Sequence, residues 1–137
     1  MCDCTRRAVL GMIAAAALAP RSAGAAAVPE REVFLATAFR LKDAAVRAGD
    51  QPYGAVVVWN RQIVGFGPSR VRELGEAAGH AERVAIADAQ RRLGREQLAD
   101  CAMYSTSRPC AACQRVAAQA KLSRMYYEHD AADGGKP

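Results

Sequence analysis

Two short motifs in this chain combine residue types that bind metals. His80 and Glu82 flank one alanine, and Cys110 and Cys113 follow Pro109 with two residues between them. Zinc favours four-coordinate sites with nitrogen and sulfur ligands, and a catalytic site keeps its fourth position open for water. His80, Cys110 and Cys113 therefore predict a catalytic zinc site, at which a water molecule would lose its proton near neutral pH and become a nucleophile.

The residues around these ligands fit the same chemistry. Glu82 lies two residues from His80 and is predicted to carry protons rather than to bind the metal. Cys110 and Cys113 are one helical turn apart, so a helix that starts at Cys110 would place both thiols on one side. A Cys-x-x-Cys pair alone also suits a redox disulfide or half of a structural zinc site. Those alternatives leave His80 and Glu82 without a role.

The N-terminal segment has the features of an export signal. Arg6 and Arg7 are adjacent arginines in a segment that resembles a twin-arginine export motif, and an apolar run follows over 8–19. That run is shorter than the ~20 residues needed to span a bilayer, and small residues after it fit a cleavage site. We therefore expect residues 1–27 to be a signal peptide, residues 28–137 to form the domain, and the protein to be periplasmic or secreted. An uncleaved anchor and a misassigned start codon are the alternatives.

The charge and the cysteine content of the chain argue against a nucleic-acid partner and against a disulfide framework. The formal net charge is +5, but the arginines are spread along the chain and form no dense stripe. We therefore expect no nucleic-acid partner. Of the five cysteines, two precede residue 28 and two belong to the zinc motif, which leaves Cys101 as a free thiol in an apolar strand. This distribution predicts no disulfide framework.

Hydrophobic patterning predicts an alternation of helices and strands. The expected helices are 29–48, 80–94 and 110–120, the expected strands are 54–59, 62–67, 101–106 and 124–128, residues 68–79 form a loop, and residues 133–137 form a flexible end. Because helices alternate with strands after the first hairpin, we expect an α/β fold: a three-layer α/β/α sandwich with a mixed sheet of four to five strands. Both metal-bearing helices would start at the carboxyl edge of that sheet.

Four sequence segments together resemble the cytidine deaminase-like superfamily. Besides H-A-E and P-C-A-A-C, they are P-Y-G-A-V-V-V at 52–58 and Y-S-T at 104–106. The similarity runs from Val33 to Glu128 and is strongest to the branch that holds guanine deaminases, tRNA adenosine deaminases and fungal-type cytosine deaminases. The resemblance implies a cytidine deaminase-like fold.

By this resemblance, His80, Cys110 and Cys113 hold zinc and Glu82 is the proton shuttle. The implied reaction is hydrolytic deamination of a free nucleobase or nucleoside, in which zinc-bound hydroxide attacks the ring carbon that bears the amino group and ammonia leaves. Guanine is slightly preferred over cytosine. Two alternatives remain open, a catalytically silent zinc-stabilised binding protein and a tRNA adenosine deaminase. The predicted export argues against the second.

The resemblance also implies substrate contacts, and here the chain departs from the family pattern. Gly54 and Ala55 would lie against the base, and Tyr53 before them is equally suited to the core or to substrate contact. Ser69 takes the place of an asparagine that binds substrate in many members, and Arg108 takes the place of a glutamate before Pro-Cys. The segment after the fourth strand is short, so we expect an open pocket that a second chain helps to close in a homodimer.

Overall fold

The computed structural model describes residues 28–137, so the predicted signal peptide lies outside the described residues. The elements are α1 (Val28–Arg47), β1 (Gly54–Trp59), β2 (Gln62–Pro68), α2 (Val71–Leu74), α3 (Ala81–Leu93), β3 (Cys101–Ser105), α4 (Ala111–Gln119), β4 (Arg124–Tyr127) and β5 (Ala132–Gly135). The helices and strands expected from the sequence are all present. None of the helices in the described range is long and apolar enough to cross a membrane.

The strand register explains why a site can form at one edge of the sheet. The strand order is β2-β1-β3-β4-β5, with β3 and β4 parallel and the other neighbours antiparallel. Gly54 pairs with Pro68, Ala55 pairs with Ser105, and Ser105 pairs with Tyr127. The start of β1 and the ends of β2, β3 and β4 therefore share one edge. The segments that lead into α3 and α4 leave from this edge.

Helices cover both faces of the sheet. On one face, Phe34 of α1 packs in a cluster with Val56 of β1. On the other face, Ala85 of α3 and Ala117 of α4 pack in a cluster with Val57. Because neighbouring strand residues point to opposite faces, a strand covered on both sides is apolar throughout. This layering confirms the predicted α/β/α sandwich with a mixed sheet.

Helix α3 lies unusually close to β2, and two glycines permit the approach. A Cβ atom built on Gly67 would lie 2.0 Å from the carbonyl oxygen of Ala81 and 2.6 Å from the backbone nitrogen of Ala85. A Cβ atom on Gly65 would lie 2.3 Å from the carbonyl oxygen of Ala85. No side chain fits at either position unless the helix moves away. Gly67 therefore fixes the height of the first turn of α3 above the sheet, and Gly65 fixes the height of the turns that follow.

Two elements differ from the sequence prediction. The predicted loop 68–79 contains the short helix α2, and the predicted flexible end contains the edge strand β5. Strand β5 pairs antiparallel with β4, and Arg124 forms a salt bridge of 2.9 Å with Asp133 across the pair. The prediction of a flexible end at 133–137 was therefore wrong for most of that segment, because tertiary pairing orders a sequence with weak strand propensity.

Candidate active site

The three predicted zinc ligands meet where α3 and α4 begin. His80 is the N-cap residue of α3, Cys110 is the N-cap residue of α4, and Cys113 lies in the first turn of α4. Their ligand atoms all lie within 4.8 Å of one another. The Nδ1 atom of His80 is 3.4 Å from the Sγ of Cys113 and 3.8 Å from the Sγ of Cys110. Tetrahedral zinc at its usual bond lengths separates nitrogen and sulfur by about 3.5 Å, so the donor set fits this metal.

A carboxylate behind His80 orients its ring. The Nε2 atom of His80 lies 2.9 Å from the Oε2 of Glu76. Because an ionised carboxylate only accepts hydrogen bonds, Nε2 carries the proton and Nδ1 faces the thiols with its lone pair. This hydrogen bond to Glu76 is the largest cause that raises the pKa of His80; partial desolvation opposes it, and Cys110 and Glu82 add to it. Glu76 thus selects the tautomer that a metal requires.

The pKa values of the two thiols at the site are shifted in opposite directions. Desolvation opposes ionisation of Cys110, but hydrogen bonds from the backbone and side chain of Cys113 and from the backbone of Ala112 hold its pKa below the usual value, and His80 contributes in the same direction when its ring is protonated. Burial raises the pKa of Cys113 far above the usual value, and the charge of the neighbouring Glu82 raises it further. A divalent cation supplies the opposite charge that allows both thiols to ionise. The pair therefore suits a metal better than it suits a free dithiol.

Glu82 is a buried carboxyl group beside the ligands. It lies in the first turn of α3, and only 6% of its surface is exposed. Its carboxylate is near enough to Cys113 and His80 to shift the pKa of both. A carboxyl group in this position can transfer protons without itself occupying a ligand position.

Around the start of β1, the predicted substrate residues have different exposures. The side chain of Tyr53 is 42% exposed, whereas Ala55 is completely buried in the core. The backbone N–H of Gly54 donates to the Oγ1 of Thr106 at 3.1 Å, and its carbonyl accepts from the backbone N–H of Thr106 at 2.9 Å. A Cβ atom on Gly54 would lie 2.1 Å from the carbonyl oxygen of Ala38 in α1. Contact of Gly54 with a base would therefore be van der Waals contact, since its polar groups bond within the protein.

Ser69 is held by an aspartate from the connection between α1 and β1. Its hydroxyl group donates to the Oδ1 of Asp50 at 2.8 Å, and only 3% of Ser69 is exposed. Asp50 also accepts from the backbone N–H groups of Gln51, Val71 and Arg72. Desolvation opposes ionisation of Asp50, but these hydrogen bonds together lower its pKa to about 2. Asp50 therefore fixes Ser69 and the start of α2 at the same time.

Sequence reasoning missed Glu76 and Asp50, which hold predicted residues in place. Glu76 lies four residues before His80, but the segment between α2 and α3 is not helical, so this spacing did not by itself indicate a contact. Asp50 contacts Ser69 across 19 positions of the chain, and no local pattern indicates this contact.

With this geometry the protein falls in the class of zinc-binding domains whose ligands are one histidine and two cysteines. The family model for the cytidine and deoxycytidylate deaminase zinc-binding region matches residues 28–129, and the chain belongs to that family. The zinc-binding domain is present, and the cluster of His80, Cys110 and Cys113 is its candidate metal site.

Relatives with two different substrates resemble this chain. It is 37% identical over 108 residues to guanine deaminase from Bacillus subtilis (strain 168). The alignment covers 76% of this chain and 69% of the relative. This chain is 32% identical over 97 residues to a tRNA-specific adenosine deaminase from Aquifex aeolicus (strain VF5). That alignment covers 71% of this chain and 64% of the relative. The chain thus spans less than two thirds of the Aquifex protein.

Two solved structures also resemble this chain. A structure from a study of A-to-I editing by tRNA:A34 deaminases matches with a TM-score of 0.69 at 33% identity, covering 72% of this chain and 75% of the other. The X-ray structure of guanine deaminase from Bacillus subtilis matches with a TM-score of 0.67 at 35% identity, covering 70% of this chain and 62% of the other.

Proposed function

We propose that this protein hydrolyses the amino group of a free nucleobase or nucleoside and releases ammonia. The observation that carries this proposal is the buried carboxyl group of Glu82 beside the His80, Cys110 and Cys113 cluster. A structural zinc site does not need a proton carrier at its edge, whereas hydrolysis of an amino group needs one for several successive transfers.

The residues of the site divide this chemistry among themselves. His80, Cys110 and Cys113 would hold zinc, which would supply a water molecule of lowered pKa. Glu82 would accept one proton from the attacking water and pass it to the ring nitrogen. It would then accept the remaining proton of the new hydroxyl group and pass it to the amino group, so that the C–N bond breaks, ammonia leaves and a carbonyl group remains. Glu76 keeps the His80 ring in its binding orientation throughout.

For the substrate, we propose guanine with a slight preference over cytosine. The similarity to the Bacillus guanine deaminase supports this choice. Tyr53 would contact the base through its exposed ring, and Gly54 would lie beneath it. Ala55 is completely buried and would support this surface from the core without touching the base. Because the proton of the Ser69 hydroxyl is directed to Asp50, the Ser69 oxygen keeps a lone pair that can accept from an N–H group of the base.

A tRNA adenosine deaminase is the second candidate. The similarity to the Aquifex tRNA-specific enzyme and to the tRNA:A34 deaminase structure favours it. The scattered arginines and the proposed export of the protein argue for a small substrate instead.

We also propose that residues 1–27 direct export to the periplasm or outside the cell. We further propose that two chains pair so that the partner helps to close the pocket.

The deciding experiment measures ammonia release by the zinc-loaded protein from guanine, cytosine, adenine and their nucleosides, together with inosine formation in a tRNA stem-loop. We expect turnover of a small substrate and none of the RNA. Inosine formation in the stem-loop alone would establish the second candidate. Zinc-loaded protein that acts on none of these substrates would instead support a zinc-stabilised binding protein without catalysis.

Export is tested separately by cell fractionation. The change of Arg6-Arg7 to Lys-Lys should retain the protein inside the cell, because lysine lacks the planar guanidinium that the twin-arginine pathway recognises. Equal export of this variant and the wild type would mean that residues 1–27 are not a twin-arginine signal.

A further inference from the structure

The segment between α2 and α3 contacts the metal site but has little packing of its own. This ligand loop comprises residues 75–79, and the carboxylate of its Glu76 lies against the ring of His80. Gly75 and Gly79 bound the loop, and glycine loses more conformational freedom on folding than any other residue. All residues of the loop except Gly79 are exposed. Packing therefore contributes little to the position of Glu76, and contacts from outside the loop have to supply it.

Arg83 bonds the ligand loop to α3. Its Nη1 atom donates to the carbonyl oxygen of Ala77, the residue that follows Glu76. Arg83 lies in the first turn of α3, and His80 is the N-cap residue of the same helix. This contact therefore fixes the backbone beside Glu76 relative to the helix that starts at His80.

Gln51 holds the Glu76 side chain from the connection between α1 and β1. Its side-chain amide donates to the Oε1 of Glu76 at 3.1 Å, while the Oε2 of the same carboxylate lies 2.9 Å from the Nε2 of His80. Each carboxylate oxygen thus has a different partner, and rotation of the group would break both contacts. Gln51 therefore restricts Glu76 to the orientation that faces the His80 ring.

The contact from Arg83 is made at a cost in stability. Its Nε atom is buried and has no hydrogen-bond partner among residues 28–137. A buried N–H group without a partner costs free energy, whereas an apolar side chain of similar length would avoid that cost. An arginine at this position is therefore better explained by what its guanidinium does for the ligand loop than by its contribution to the fold.

We propose that Arg83 and Gln51 are positioning residues that raise the zinc affinity of the site. Neither belongs to the ligand cluster; they fix the ligand loop so that the Glu76 carboxylate stays against His80. Partners that orient a metal ligand change metal affinity by about 10–100-fold. Because both residues act through Glu76, neither contributes more than Glu76 does. The inference rests on the candidate metal site and requires no particular substrate.

The test measures zinc affinity in the full-length protein by competition with a chelator. Arg83→Met keeps the apolar stem and removes the guanidinium, and Gln51→Ala removes the amide. Each variant should bind zinc about fivefold more weakly, below the range for complete loss of an orienting partner, since one of the two contacts remains. Arg83→Lys keeps a donor and should retain part of the affinity.

The sign of the effect separates the contact from the charge. Loss of a positive charge near a cation site would by itself strengthen cation binding, so weaker binding by Arg83→Met has to come from the lost contact. Arg91→Met is the matched control, because it makes the same charge change in the last turn of α3, where Arg91 pairs with Asp88. This control should bind zinc as the wild type does. Equal affinities of Arg83→Met and Arg91→Met would overturn the proposal.

Double variants show whether the two residues act through Glu76. Arg83→Met or Gln51→Ala combined with Glu76→Ala should bind zinc as weakly as Glu76→Ala alone, because residues that act through one partner have non-additive effects. A further fivefold loss in the Glu76→Ala background would assign both residues to the fold and overturn the proposal. The expected affinities in a protein that releases no ammonia from any substrate would support the positioning role and count against the deaminase function.

Discussion

The two ends of strand β3 place cysteines in opposite environments. Cys101 at its start is completely buried, and burial together with the charge of Asp100 raises its pKa to about 11. Asp100 is in turn held by hydrogen bonds from Trp59 at 2.7 Å and Arg95 at 2.6 Å. Cys110 beyond the other end is exposed, caps α4, and accepts from backbone N–H groups that lower its pKa.

This difference shows that the surroundings of a thiol, and not its residue type, decide its chemistry. At the Cys101 end, the carboxylate of Asp100 and the core keep the thiol protonated, so it behaves as a small apolar side chain. At the Cys110 end, the helix start favours the thiolate that a metal binds. One end of the strand thus contributes stability, and the other contributes chemistry.

The largest effect should follow from a change that leaves the fold intact and removes a functional group beside Cys110 and Cys113. Glu82→Gln keeps the size of the side chain and removes its proton transfer. Ammonia release should fall by about 10³-fold or more, since acid–base catalysis alone commonly contributes 10²–10⁴-fold. Zinc content and melting temperature should stay at the wild-type values. A Glu82→Gln protein within tenfold of wild-type activity would contradict the mechanism. Cys101→Ser, at the other end, is the control and should change stability more than activity.

Thiol labelling compares the two ends directly. In zinc-free protein that keeps its circular dichroism spectrum, Cys110 should react with iodoacetamide at pH 8 at least about 100-fold faster than Cys101. A thiol with a pKa near 11 is ionised to only about one part in a thousand at this pH, and the thiolate is the reacting species. Mass spectrometry of the labelled peptides gives both rates. Similar rates at the two positions would mean that the described environments do not control reactivity.

A smaller effect is expected for the carboxylate behind His80. Glu76→Ala should weaken zinc binding by about tenfold, at the lower end of the 10–100-fold range for such partners, because Glu76 is largely exposed. Competition with a chelator measures the affinity. Glu73→Ala in the neighbouring helix α2 is the control, since Glu73 pairs with Arg70 and not with His80. An equal loss in both variants would show that the loop, and not the hydrogen bond, matters.

The smallest effect should come from Asp50, which supports the loop of Ser69. The folded-state pKa of about 2 lies below the usual 3.8, so its stabilisation is present above pH 3.8 and is lost as the pH falls toward 2. Asp50→Asn should therefore lower the melting temperature by a few degrees at pH 7 and by less at pH 2.5. The control is Asp43→Asn, at an exposed position of α1. A constant difference across this pH range would exclude ionisation of Asp50 as the cause.

The residues that carry the chemistry of the site could be predicted from the sequence, whereas the residues that hold them in place could not. His80, Cys110 and Cys113 could be found because their types and spacing carry the chemistry locally. The helices and strands could be found because each has a hydrophobic pattern of its own. Asp50 and Glu76 act through hydrogen bonds that no sequence pattern indicates, and the four-residue helix α2 depends on the cap that Asp50 supplies from outside it.

Strand β5 shows a second limit of sequence reasoning. Its residues, Ala132–Gly135, have neither alternating apolar positions nor β-branched side chains. The strand forms because β4 offers an unpaired edge and because Arg124 holds Asp133. A Cβ atom on Gly134 would lie 2.7 Å from the ring of Tyr127, so the glycine that weakens strand propensity is also what lets the strand pack. The local and tertiary preferences conflict here, and the tertiary contacts prevail.

The absent side chains of Gly65 and Gly67 have a consequence for the sequences that this site tolerates. Neither residue takes part in the chemistry, yet a larger residue at Gly67 would push the first turn of α3 away from the sheet, and one at Gly65 would push the following turns. Either change would move His80 and Glu82 away from Cys110 and Cys113. Random mutagenesis should therefore recover inactive proteins with changes at these glycines and with every zinc ligand intact. The tolerance of the active site to mutation is set in part by a strand that contributes no functional group to it.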